Sequence, residues 1–338
     1  MPGKSKKRKR DLKISLDIGE NEKDPAEFRD LVVLSDKLGF DVAWLGDHFL
    51  PWMDSGNRSA YVWSLMGSAL EASKNIKVGP YVTTPIGARY HPAIIAQACA
   101  TLDNMYPGRF ILGVGTGEAV NEAMFLPHGW PPWKERAERL VEGVDLMRKL
   151  WSSDSYFDFD GSYFKMKQVF LYTKPKTDLK VYFSAVGEKF AELSGMHSDG
   201  LITLTSRHSR EHLRDVIFPS FDRGARSAGK DPSKIEKMIS FNFTLEDPDS
   251  YLKSHKKHAG NLVKKALAEP DTRRIENMGE ELTDEAVLKG TNFCSSWSDV
   301  IDLIFKYKEI GVNHFVLASG PDRIKIRTYA NRILKEFR

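Results

Sequence analysis

Cysteine is scarce in this chain. Cys99 and Cys294 are the only two among 338 residues. Two cysteines exclude a disulfide-rich secreted scaffold and a four-cysteine zinc site. Long apolar runs are missing as well, and none approaches the roughly 18 residues that a membrane span needs. No apolar segment follows the basic start, so it does not read as a secretory signal. Gly/Ser-rich linkers and internal repeats are absent. A cytoplasmic protein is therefore expected, with one domain over 12–338 and a disordered basic tail over 1–11.

Acid is what the first ten residues lack. They hold six lysines and arginines and no aspartate or glutamate. The whole chain has 50 Lys+Arg against 46 Asp+Glu, a formal charge of +4. Without those six, 44 basic residues face 46 acidic ones, so the body carries −2. The basic character belongs to the tail and does not mark the body as a nucleic-acid domain. The tail reads as a disordered solubilising or membrane-surface segment; nucleic-acid binding through it is the alternative, and it would be lost on deleting residues 1–10 and show a steep salt dependence. Hydrophobic residues make up 41% and charged residues 28%, which excludes a wholly disordered chain.

Eight short apolar runs read as strands: 12–18, 42–46, 76–82, 110–114, 180–185, 201–204, 238–243 and 314–318. Most are rich in β-branched or aromatic residues and do not alternate, as strands buried on both faces should not. Helical patterns lie between them, at 25–38, 61–73, 92–105, 133–151, 189–197, 210–228, 251–268 and 297–310, with a further helix at 325–337. The first has Asp24 as N-cap, Pro25 at its first position and Gly39 closing it. Eight strands alternating with eight helices predict an α/β fold, a (β/α)₈ TIM barrel. A doubly wound open sheet is the alternative. Segments 156–176 and 269–291 exceed plain connections and are read as insertions that help to wall a site.

Chemistry in such a barrel gathers at the C-terminal strand ends. Asp47-His48 follows the second strand, and a carboxylate beside an imidazole suits acid/base work near neutral pH. The same pair could equally be a strand-end and helix-cap arrangement. Gly113-Val114-Gly115-Thr116-Gly117-Glu118 resembles a dinucleotide-binding loop but has Glu118 where that pattern has glycine, and prolines follow instead of a long helix. Its glycines still allow close approach to a flat ligand beside Glu118. Gly187 before a helix start, with Lys189, reads as an anion site. His208 to His212 has the H-x-x-E-H spacing of some zinc peptidases. The segment is strongly polar, Arg214 follows, and no third ligand stands out, so it reads as a solvated helix face and no metal is expected. Arg207, Lys264 and Lys289 together could hold an anionic substrate.

Three stretches carry a family resemblance. Gly46-Asp47-His48-Phe49-Leu50-Pro51-Trp52 resembles the S-D-H-F-x-P-W signature of deazaflavin-dependent glucose-6-phosphate dehydrogenases. Residues 84–98 resemble their T-P…R-Y-N-P-A-V-I-A-Q-A stretch, and 106–122 their Y-P-x-R-x-x-L-G-V-G-T-G-E-A-L-N-E stretch. The similarity runs from about Leu12 to the C-terminal helix and is dense to about Gly200. These enzymes belong to the luciferase-like (β/α)₈ superfamily, in the branch using coenzyme F420, which also contains secondary alcohol dehydrogenases.

The resemblance implies that Asp47 and His48 lie at the deazaflavin ring, with His48 touching the reacting carbon. It implies that Trp52 walls the substrate and that Glu118 lies near the ring's N1 side as acid/base partner. Tyr81-Val82 would be the bulge behind the ring, often a cis peptide in this family. Thr84 and Asn121 would be further cofactor contacts, and Val186, Gly187, Glu188 and Lys189 would hold the cofactor phosphate. Arg207, Lys264 and Lys289 fall near the family's sugar-phosphate cations, although Gly290 takes the place of the arginine. Glu20 and Asn21 fall near its acidic residue after the first strand. The implied activity is F420-dependent hydride transfer from the hydroxyl carbon of a sugar phosphate, a sugar or a secondary alcohol, with a homodimer expected. FMN as cofactor, a tetrahydromethanopterin-linked reductase and a flavin monooxygenase are the alternatives.

Overall fold

The computed structural model describes residues 12–19, 24–56, 58–317 and 320–338. The basic tail and the expected substrate residues Glu20 and Asn21 lie outside the described residues. Eight parallel strands form the barrel wall: β1 (Lys13–Asp17), β2 (Val42–Leu45), β3 (Lys77–Pro80), β4 (Leu112–Val114), β7 (Val181–Ser184), β8 (Gly200–Leu204), β9 (Glu236–Phe241) and β12 (His314–Leu317). Each corresponds to one of the eight apolar runs. Neighbours pair in the order β3-β2-β1-β12-β9-β8-β7-β4. The remaining seam, β3 against β4, is stitched at its two ends. The Ile111 amide donates to the Val78 carbonyl at 3.1 Å, and the Thr83 amide to the Gly113 carbonyl at 3.0 Å. Pro80 has no N–H to give, which interrupts a regular ladder there. Glycine is required on both sides of the seam. A Cβ on Gly79 would lie 2.3 Å from the Ile111 carbonyl oxygen, and one on Gly113 would lie 2.4 Å from that of Pro80.

Apolar side chains fill the barrel interior, as such a core requires. Val42, Trp44, Ile111, Tyr182, Ile202, Met238 and Val316 form it, with Tyr81 and Val82 packed on top. Polar groups close the lower end. Ser15 Oγ lies 2.5 Å from His314 Nε2, and His314 Nδ1 meets Glu236, which also pairs with Lys13. Burial opposes ionisation of Glu236, but His314 and Lys13 outweigh it and hold the carboxyl at about 2.

The helices pack outside the strands. The first, Pro25–Leu38, starts and stops on its expected signals. Asp24 accepts from the Ala26 amide at 2.9 Å, and Gly39 ends it at φ +88°. Two expected helices are broken. Over 210–228 the chain forms a short turn (Arg210–His212), a π-type turn (Leu213–Ile217) and a helix (Phe218–Ser227). Pro219 cannot donate to a preceding carbonyl, so the regular ladder fails at that point. Over 251–268 the helix Pro248–His255 gives way to 3₁₀ segments. Here Gly260 is pressed so close to the Ile275 carbonyl that a Cβ would sit 2.2 Å from it.

The two insertions do different things. Segment 156–176 holds an antiparallel hairpin, β5 (Phe157–Asp160) with β6 (Lys165–Val169). The adjoining Phe164 packs against Gly87 and His91, so it braces the loop after β3 from behind. Segment 269–291 holds two short helices, Thr272–Glu280 and Asp284–Leu288. Beside it, β10 (Phe243–Thr244) pairs with β11 (Asn292–Phe293). Ile275 and Met278 of this insertion pack with Val120, Leu50 and Trp52, so this one does wall the upper rim.

Candidate active site

The C-terminal ends of β2, β3 and β4 bring Asp47, His48, Arg89, Glu118, Asn121 and Glu122 together. Asp47 does not cap a helix. Its side chain is 1% exposed and accepts from Thr83 Oγ1 at 2.6 Å, Arg89 Nη2 at 2.9 Å and the Tyr90 hydroxyl at 3.2 Å. Arg89 also donates to the Asp47 backbone carbonyl at 2.8 Å, which fixes the peptide that leads into His48. Glu122, itself 1% exposed, accepts from the Arg89 amide at 3.1 Å and lies 3.6 Å from its guanidinium. One buried guanidinium thus serves two buried carboxylates. Burial pushes Glu122 up to about 7, against the pull of Arg89, and Asp47 adds to the rise. Burial also raises Asp47, opposed by Arg89 and by the Thr83 hydroxyl.

His48 is half-buried above this network. Burial lowers its pKa, while the Glu118 and Asp47 carboxylates oppose the fall. The Asn121 amide nitrogen lies 2.8 Å from His48 Nδ1 and 3.4 Å from Glu118 Oε2. Asn121 Oδ1 accepts from the Phe49 and Leu50 amides. The Trp52 ring stands 6.0 Å from the His48 ring, tilted by 54°. Asn121 of one short turn, Ala119–Glu122, thus touches both His48 and Glu118, with Glu118 at the turn's N-cap position.

The glycine loop shapes the floor. A Cβ on Gly115 would lie 2.7 Å from a Val82 methyl, and one on Gly117 would lie 2.8 Å from the Thr84 methyl. Gly117 is at φ +77°. The Tyr81–Val82 peptide is cis. Thr84 is buried beside this floor.

Gly187 opens the helix Glu188–His197 with no side-chain cap, and a Cβ there would meet nothing within 4 Å. The first N–H groups of that helix are thus open to an anion. Lys189 is exposed beside them, whereas Glu188 turns to Arg223 at 3.7 Å. His208 Nε2 lies 2.7 Å from the Val186 carbonyl, holding this loop, and its ring stacks on His212.

The expected substrate cations differ in their surroundings. Arg207 hydrogen-bonds the Asn261 carbonyl and feels the Glu118 charge, while burial lowers its pKa. Lys264 is exposed on the 3₁₀ segment next to Val263 and Ala266, which pack into the Trp52 wall. Lys289 is 73% exposed and pairs with Glu285 at 2.6 Å. It lines a cleft of about 680 Å³ with Arg207, Arg210 and Lys306. Arg89, Glu122, Thr83 and Tyr90 were not singled out from sequence. The signal available was a charge pair, Arg89 and Glu122, inside otherwise apolar or aromatic strand-end segments.

A family model described as luciferase-like monooxygenase matches residues 12–314. The chain belongs to this family. Within it, the chain is 35% identical over 318 residues to the F420-dependent glucose-6-phosphate dehydrogenase of Mycolicibacterium smegmatis, covering 93% of this chain and 94% of that one. The Segniliparus rotundus enzyme of the same name is 33% identical over 321 residues, with the same coverage. A solved F420-dependent secondary alcohol dehydrogenase, in complex with an F420-acetone adduct, is 35% identical. It superposes with a TM-score of 0.88 over 97% of this chain and 99% of that chain. The coenzyme F420-dependent tetrahydromethanopterin reductase of Methanopyrus kandleri shares the fold, with a TM-score of 0.76 at 20% identity. Among the described residues, no helix is long and apolar enough to cross a membrane.

Proposed function

We propose that this protein is an F420-dependent dehydrogenase that oxidises the carbinol carbon of a sugar phosphate. The observation that carries the reading is the convergence of His48, Glu118 and Trp52 on one rim, above a glycine floor and beside an uncapped helix start. These parts fit F420, which joins a flat deazaflavin ring to a phosphate-bearing tail. Gly115, Gly117 and Val82 present backbone and small groups to a flat face. The N–H groups after Gly187, with Lys189, suit the phosphate.

Tyr81, Val82, Thr84 and Asp47 would hold the ring from behind and beside it. Val186, Gly187, Glu188 and Lys189 would hold the tail through backbone. When bound, the cofactor supplies a hydride acceptor at C5 of the deazaflavin. The chain supplies orientation and proton handling. Trp52, backed by Leu50, Val263, Ile275 and Met278, confines the substrate on one face and excludes water. His48 reaches the substrate oxygen, held there by Arg89 through the Asp47 peptide and by Asn121. Glu118, whose charge is felt by both His48 and Arg207, would handle a proton at the ring edge. Arg207, with Lys264, would meet a substrate anion.

A second reading within the same chemistry is a secondary alcohol as substrate. The pairing of Lys289 with Glu285, which leaves one expected anion-binding cation already neutralised, favours it. Mixing the protein with F420, and separately with FMN, tests both. Loss of the oxidised deazaflavin absorbance is followed after adding glucose 6-phosphate, glucose or isopropanol. Bleaching of F420 by glucose 6-phosphate supports the first reading, and bleaching by isopropanol alone supports the second. No bleaching by any of them sinks the dehydrogenase reading.

A further inference from the structure

Asn121 was expected to touch a cofactor, but both ends of its amide are already engaged by this chain. It is buried on the turn Ala119–Glu122. Its Oδ1 accepts from the Phe49 amide at 2.8 Å and from the Leu50 amide at 3.3 Å. Those two backbone donors fix which way the amide faces. Exchanging O and N would set an NH₂ group against two N–H groups, so the flip is excluded on hydrogen-bond grounds. The nitrogen end must then be the one 2.8 Å from His48 Nδ1. An amide nitrogen donates and does not accept, so His48 Nδ1 must be the bare, accepting nitrogen. In a neutral imidazole the proton then sits on the other nitrogen.

We propose that Asn121 is a positioning residue that fixes His48 as the Nε2–H tautomer, so that His48 meets the substrate oxygen as a hydrogen-bond donor, while the hydroxyl proton passes to the neighbouring Glu118 carboxylate and from there to the ring edge of the cofactor. A neutral imidazole used this way polarises a carbonyl or alkoxide oxygen. The imidazolium would need a proton on Nδ1 aimed at the Asn121 N–H, so the amide opposes that form as well as the other tautomer. The charged groups facing His48 act in both directions. Glu118 and Asp47 favour the imidazolium, as does a hydrogen bond from the ring to the Leu50 backbone, which the Nε2–H shares with the substrate oxygen once Nδ1 is the acceptor, whereas Arg89 and burial oppose it. The donor role at the substrate oxygen rests on the dehydrogenase reading; the tautomer does not.

Two experiments separate these statements. The full chain, with ¹⁵N-labelled histidine and with no cofactor or substrate, is placed near pH 8. Long-range ¹H–¹⁵N correlations report which ring nitrogen carries the proton, and loss of one set of signals in His48→Gln assigns His48. Wild type is expected to carry it on Nε2. Asn121→Asp keeps an acceptor for the Phe49 and Leu50 amides but turns an acceptor toward the ring. It should move the proton to Nδ1 and raise the His48 pKa by about a unit or more. A proton on Nδ1 in wild type overturns the proposal without reference to any variant. An unchanged tautomer in a folded Asn121→Asp does the same.

Turnover tests the donor role. Glutamine offers an N–H but cannot take a proton, so His48→Gln should lose about tenfold in kcat where His48→Ala loses about a hundredfold. Equal loss in the two variants overturns the donor role. A wild-type protein with no turnover on any alcohol or sugar overturns the dehydrogenase reading and the donor role together, while the spectrum still decides the tautomer.

Discussion

Replacing Arg89 by methionine leaves two carboxylates buried with no cation. Asp47 and Glu122 are each 1% exposed at the side chain, and Arg89 is 8% exposed. Removing one partner of a buried ion pair costs about 3–5 kcal/mol, because the remaining charge is left uncompensated. Methionine keeps most of the side-chain volume, so cavity formation adds little. The cost must depend on pH. Glu122 already sits near 7 in the presence of Arg89, above its ordinary value. A carboxyl raised in the folded state contributes stability that is complete below its unfolded pKa and lost as pH rises through the folded one. Without Arg89 both folded values climb further, so the penalty of Arg89→Met is largest near pH 8 and shrinks toward pH 5, where the carboxyls bind protons. Urea unfolding followed by tryptophan fluorescence at both pH values measures this. The double variant Arg89→Met/Glu122→Gln should recover about 1–3 kcal/mol at pH 8, since one uncompensated charge is gone. A single-variant loss below about 1 kcal/mol, or the same loss at both pH values, refutes the network as described.

Three further outcomes follow from the same structure. Glu236 is held at about 2 by His314 and Lys13, so it contributes stability above its unfolded value near 4.5 that is lost as pH falls toward 2. Glu236→Gln should cost on the order of 3 kcal/mol at pH 7 in urea unfolding and much less near pH 3. Gly117→Ala places a Cβ 2.8 Å from the Thr84 methyl at φ +77°, so it should weaken F420 binding in a fluorescence titration by roughly tenfold and lower stability by about 1–2 kcal/mol. Arg207→Ala should raise KM for glucose 6-phosphate by about tenfold or more with little change for isopropanol, as expected of a charge that meets only an anionic group.

Strand existence was legible because each barrel strand is a buried, β-branched or aromatic run between helical patterns. The caps at Asp24 and Gly39 were legible for the same local reason. The breaks in helices at Pro219 and Gly260 were less so. The first depends on where a proline falls in a longer pattern, and the second on a tertiary contact with Ile275. In the site, Asp47, His48 and Glu118 stand next to strand ends, so their place on one rim followed from barrel geometry. The Arg89–Glu122 pair did not, because its residues come from two different strand-end loops and meet only on closure of the β3–β4 seam. Asn121 was legible as a member of the site but not in its role. Its orientation is set by the Phe49 and Leu50 backbone, which sequence cannot position.

The central claim is that a carbon-bound hydrogen leaves the substrate as hydride for the deazaflavin. Glucose 6-phosphate carrying deuterium at C1, and isopropanol carrying it at C2, are each incubated with the protein and oxidised F420, and the reduced cofactor is analysed by mass spectrometry. The account predicts one deuterium in the reduced cofactor from at least one of these substrates, and none when the label is on the hydroxyl oxygen. Reduced cofactor without deuterium from either carbon-labelled substrate, or no reduction at all, would contradict it.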